Sequence, residues 1–132
     1  MNKKRLLKLA DLLEADAENK KGLQFDYFTW GWVTDETKPM SCGTSACALG
    51  LAALSGAFKR AGLGWRQPKG DTIKFLWNGR RVRASRAAMK TFGLSEKDSD
   101  YLFINAAGLP CTNGAKAELA VAKRIRDFVA AH

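Results

Sequence analysis

The dipeptide Asn78-Gly79 stands between two runs of alternating character, Thr72-Ile73-Lys74-Phe75-Leu76-Trp77 and Arg80-Arg81-Val82-Arg83-Ala84. Both positions of a two-residue hairpin turn need positive φ, which Asn and Gly tolerate best, so this pair is the strongest short-range hairpin signal a sequence can carry. The spacing predicts a β-hairpin over residues 72–84. Ile73, Phe75 and Trp77 share one face of its first strand, and Val82 and Ala84 share one face of the second. The remaining faces carry Lys74, Arg81 and Arg83, with Arg80 beside the turn. The element is a basic ribbon.

Helical patterns surround it. Leu6, Leu9, Leu13 and Ala17 recur at helical spacing with charged residues opposite, which predicts an amphipathic helix over residues 3–20, ended by Lys21-Gly22. The small-residue run from Ser45 to Lys59, which follows CGTSAC, predicts a buried helix capped by Thr44 or Ser45. Ala46, Gly50, Ala53 and Ala57 form a stripe on it that lets another backbone come close. Ser85 is placed to cap a short helix through Phe92, and Ser95 another through about Asn105, with Asp98 in the capping region. Asn113 opens a last helix with Leu119, Ala122, Ile125 and Val129 on one face and Phe128 beside it. Five helices with one secure hairpin make a small α+β domain, and 132 residues suit a single globular unit spanning 1–132.

Between the first two helices, Phe25, Tyr27, Phe28, Trp30 and Trp32 form an aromatic segment. Core packing accounts for aromatic side chains without a ligand, although an exposed stacking platform is the alternative. No stretch reaches the roughly 18 apolar residues of a membrane span, and Lys8, Asp11, Glu14 and Asp16 interrupt the basic N-terminal run before it resembles a signal peptide. The expected location is the cytoplasm, with the cysteines reduced.

The segment Cys42-Gly43-Thr44-Ser45-Ala46-Cys47-Ala48-Leu49-Gly50 raises the possibility of thiol chemistry. A cysteine nucleophile needs a base, and the one histidine, His132, is the last residue. Zinc would require Cys42, Cys47, Cys111 and His132 together, without a second paired-ligand motif. Packing is the simpler role for these thiols. Phosphate-loop, dinucleotide and metalloprotease motifs are absent, and no pair of carboxylates clusters in an apolar setting along the sequence. Glu96, Asp98 and Asp100 read as a solvated face. No catalytic residue, metal site or cofactor is expected.

Net charge is +9, and the window from Lys59 to Lys90 holds ten basic residues against the single acid Asp71. Since that excess equals the whole net charge, the rest of the chain is electrically balanced and the basic segment stands alone. Lys74, Arg80, Arg81, Arg83 and Arg86 are therefore the expected contacts for an anionic partner, with Trp77, and Trp65 nearby, available to stack on unpaired bases. Nucleic acid is the first expectation and an acidic protein surface the second. A cysteine-dependent enzyme centred on Cys42 or Cys47 is the rival from another class.

The order FDYFTWGW, CGTSACALG, FGLSEKDSDYLF and TNGAKAELAVAKRI resembles a set of short bacterial and phage proteins sharing a W…CGTxACxxG…LGL…LF…TPxxA pattern over residues 25–128. Thr112-Asn113-Gly114 stands here where Thr-Pro is usual in that pattern. The resemblance implies a phage or mobile-element setting and no particular activity.

Overall fold

The computed structural model describes every residue from Met1 to His132. Its elements are α1 (Lys3–Glu18), β1 (Gln24–Phe25), β2 (Trp32–Val33), β3 (Thr44–Ala46), α2 (Ala48–Leu54), a 3₁₀ turn (Lys59–Ala61), β4 (Leu63–Arg66), β5 (Lys74–Trp77), β6 (Arg80–Val82), α3 (Ala84–Phe92), α4 (Glu96–Phe103) and α5 (Gly114–Ala131). Five helices and two three-stranded sheets make this an α+β fold.

The Asn-Gly turn forms as its residues require, with φ of 51° at Asn78 and 81° at Gly79. Phe75 lies opposite Val82 and Trp77 opposite Arg80. The hairpin is nevertheless part of a larger unit than the sequence suggested. β4 pairs antiparallel along the other side of β5, Trp65 opposite Phe75, giving the order β4-β5-β6. Leu63-Gly64-Trp65-Arg66 is too short, and carries glycine where a strand needs a side chain, to declare itself by alternation. At the other end the ribbon stops at Val82, because Arg83 is already the N-cap of α3. Ser85 therefore caps nothing, and α3 begins without a side-chain cap.

The CGTSAC segment departs furthest from expectation. Thr44-Ser45-Ala46 is the central strand of a second sheet, of order β1-β3-β2, parallel to β1 and antiparallel to β2. Only Ala48–Leu54 is helical, and its cap is Cys47, whose Sγ accepts a hydrogen bond from the Gly50 N–H at 3.4 Å, rather than Thr44 or Ser45. The backbone of residues 44–46 satisfies its donors and acceptors between two neighbouring strands, which overrides the helical propensity of the small residues. The close-approach reading of Gly50 holds: a Cβ there would run into the Trp30 carbonyl oxygen.

Gln67 ties the sheets together. Its Oε1 accepts from Val33 N–H at 2.8 Å and its Nε2 donates to the Val33 carbonyl at 3.0 Å, so an amide side chain takes the place of a neighbouring strand along β2. Ile73 N–H also donates to Gly31 O at 2.8 Å. Beneath both sheets runs one apolar cluster of 32 buried residues. The most extensive seam in it joins α1 to α5. Leu6, Leu9, Ala10 and Leu13 meet a face of α5 formed by Ala117, Val121, Ala122, Ile125 and Phe128. Leu119, expected on that face, is 45 % exposed; Glu118 occupies the position instead. No helix is long and apolar enough to cross a membrane.

Candidate functional site

Lys74, Arg81 and Arg83 come together at the end of the ribbon away from its turn, where they line a groove of about 370 Å³ with Trp30, Phe75 and Val82 on its apolar side. Two features make it electropositive. The α3 N-terminus opens onto it through Ala84, and this helix start carries free amides without a capping side chain. Arg81 and Arg83 are exposed and form no ion pair. Lys74 does: its Nζ lies 3.0 Å from Asp71, and that ammonium, with the Thr72 amide, holds the Asp71 carboxyl below its usual range.

The other expected contacts are elsewhere. Arg80 sits across from Trp77 beside the turn, and Arg86 is exposed in the first turn of α3; neither lines the groove. Trp77 and Trp65 are half-buried and packed against the core, and Lys90 lies 6.0 Å from the Trp77 ring centre. Base stacking on these two rings has little open surface to work with, so the groove is suited chiefly to phosphate-type contacts. Because β6 is an edge strand, Arg80 and Arg81 also discourage a further strand from pairing there, a service any exposed charge performs.

The thiols separate into three environments. Cys42 is exposed, Cys111 half-buried and Cys47 fully enclosed. Burial pushes the Cys47 thiol up to about 11, against the smaller opposing effect of the Gly50 amide. A thiol held protonated in the core is a cap and a packing group, since nucleophilic attack needs the thiolate. Side chains that could hold a metal ion do not gather in threes anywhere. His132 stacks on Phe128, with its Nδ1 2.8 Å from that residue's carbonyl oxygen. In the aromatic segment, Phe25 and Tyr27 are buried and Trp30 half-buried, whereas Phe28 and Trp32 are exposed.

One constellation runs against the sequence reading. A carboxylate pair does cluster in an apolar setting: Asp16 near the end of α1 and Glu118 on α5 are only 8 % and 2 % exposed. Asp16 Oδ1 accepts from the Leu23 N–H at 3.1 Å, and Gly22 makes this bend possible because a Cβ would collide with that carboxyl. Apart from each other, the carboxyls find no protein donor for Asp16 Oδ2 or Glu118 Oε2. Burial, then the hydrogen-bonded Asp16 carboxyl, pushes Glu118 up to about 9, and burial also raises Asp16. Two buried carboxyls in contact cannot both ionise, so they share a proton. The pair lines a cleft of about 550 Å³ between the end of α1, β1 and the first turns of α5.

The signal was present in the helical phase. Asp16 continues the stripe Leu6, Leu9, Leu13, and Glu118 precedes Ala122, Ile125 and Val129 by one turn. An acid at a stripe position reads as a shifted face until the partner helix is known. Comparison with known proteins adds no relative: no family model, curated protein or solved structure matches this chain.

Proposed function

We propose that this protein is a non-catalytic binding protein of the cytoplasm that engages nucleic acid through the phosphate backbone at the basic groove. The observation that carries this reading is the convergence of Lys74, Arg81 and Arg83 on one groove at an uncapped helix start, with no acid paired to either arginine. Guanidinium groups suit phosphate oxygens because their N–H donors lie in a planar fork, and free helix-start amides add donors of the same sign. The resemblance to phage proteins gives the reading a setting as an accessory protein of a mobile element.

Its test is a titration of nuclease-treated protein with labelled single- and double-stranded DNA and RNA across a salt series. Affinity is expected to fall steeply with salt. On duplex DNA, Arg81→Gln with Arg83→Gln should flatten the log–log slope by about 2, near 0.9 for each phosphate no longer neutralised. Arg80→Gln, outside the groove, should change it less. Absence of binding at low salt refutes the reading and leaves an acidic protein surface as the partner to seek.

A further inference from the structure

We propose that the nucleic acid held at the basic groove continues along α3 to a second phosphate-binding cleft, built by Lys4 and Lys8 of α1 and Arg60 of the 3₁₀ turn. The inference rests on the nucleic-acid reading and gives that reading a longer contact surface with two ends.

The second cleft gathers cations from distant parts of the chain. The first eight residues carry Lys3, Lys4, Arg5 and Lys8 and no acid, although Asp11, Glu14, Asp16 and Glu18 cancel them in the sequence total. In the fold, Lys4, Arg5 and Lys8 meet Arg60 around a cleft of about 360 Å³ that no acid lines, close in size to the first groove. Lys4 and Lys8 stand one turn apart on the same side of α1. Lys8 Nζ lies 5.9 Å from the centre of the Phe58 ring, another lining residue. Lys4, Lys8 and Arg60 are exposed, and none forms an ion pair.

The placement of these charges is costly to the free protein. A helix start favours acids, yet α1 has none in its first turn, where Lys3, Lys4 and Arg5 crowd the positive end instead. An anion seated beside them removes that repulsion.

One helix joins the two clefts. Ala84, at the start of α3, lines the first groove, and Arg83 is the N-cap. At the far end the Phe92 carbonyl accepts from Asn2 N–H at 2.7 Å, and the Thr91 carbonyl accepts from the Arg5 guanidinium at 3.0 Å, so the start of α1 is fastened to the end of α3. Between these ends Arg83, Arg86 and Lys90 follow at intervals of three and four residues on the exposed face, with Ala87, Ala88, Thr91 and Phe92 buried behind them. The nine residues of α3 span about 13 Å at 1.5 Å per residue. That is about four base-pair steps of duplex DNA at 3.4 Å each. A strip of cations this long, with a cleft at either end, fits an extended phosphate backbone better than a single small anion.

The test uses a labelled duplex of about 16 base pairs, long enough to pass both clefts, across a salt series. Lys4→Gln, Lys8→Gln and Arg60→Gln together should flatten the log–log slope by about 2 to 3 and weaken binding at low salt at least about tenfold. Lys20→Gln, Lys21→Gln and Lys116→Gln remove the same charge from the opposite end of α1 and the start of α5, and should leave the slope nearly unchanged. Amide NMR spectra of the unaltered protein should show the duplex shifting Lys8 and Arg60 along with Arg83 and Ala84, a readout that no misfolded variant can confuse. The second cleft is overturned, and the groove reading kept, if only the Arg81 and Arg83 changes alter the slope or if the Lys8 and Arg60 amides stay still while Arg83 moves. Equal effects from the two lysine-containing triples also overturn it, since net charge alone would then explain the loss. Absence of binding at low salt overturns both.

Discussion

Glu118 shows how one side chain can set the pH response of a fold. In the unfolded chain its carboxyl ionises in the usual range, whereas in the folded protein it keeps its proton to about pH 9. The folded state thus binds more protons between those limits. The stability this proton supports is fully present below the usual carboxylate range and is lost as pH rises toward 9. Glu118→Gln keeps the shape, stays neutral and offers Asp16 an N–H donor. Urea midpoints measured at several pH values should show the variant more stable by about 1–3 kcal/mol near pH 8, with the advantage gone near pH 4. A variant that is less stable at every pH would mean that the protonated carboxyl makes a contact the amide cannot replace. Reading this residue from sequence alone was hard for a specific reason: an acid on an apolar stripe is an error in periodicity until a second acid is known to face it.

At the scale of elements, α2 and its flanks illustrate what local pattern can and cannot reveal. Small residues after CGTSAC announced close backbone packing, and Gly50 supplies it beneath the Trp30 carbonyl. That three residues of the same run form the middle strand of a sheet was not legible, because β3 owes its existence to partners twenty residues earlier and a dozen earlier. Gly50→Ala should therefore cost at least about 3 kcal/mol, since backbone cannot yield as a side chain does. Gly56→Ala is the comparison: Gly56 has φ of 71° with open space around it, so only the conformational penalty of about 1 kcal/mol applies. Chemical denaturation of the two variants side by side checks this, and equal losses would contradict the close approach. The hairpin, by contrast, was readable because its turn chemistry is local, while β4 was not, because it is defined by β5.

Across the whole molecule, one continuous core underlies both sheets and all five helices, with Gln67 and Ile73 bonded across the boundary between the sheets. Fluorescence of the four tryptophans, placed in the sheet half, and far-ultraviolet circular dichroism, dominated by helices, should report one unfolding midpoint. Separate midpoints would show that the sheets and the α1–α5 seam unfold independently. Of the two charged clusters, the basic ribbon was visible in the sequence because its cations lie within ten positions. The acidic pair was not, because its two carboxyls are brought together only by the packing of the first helix on the last. That same seam imposes an order in time. Arg126 reaches back 112 positions to Glu14, so during synthesis α1 leaves the ribosome with its leucines uncovered and waits for all the elements between them before its partner exists. Until α5 has been made, the uncovered face of α1 is therefore open to aggregation and to chaperones.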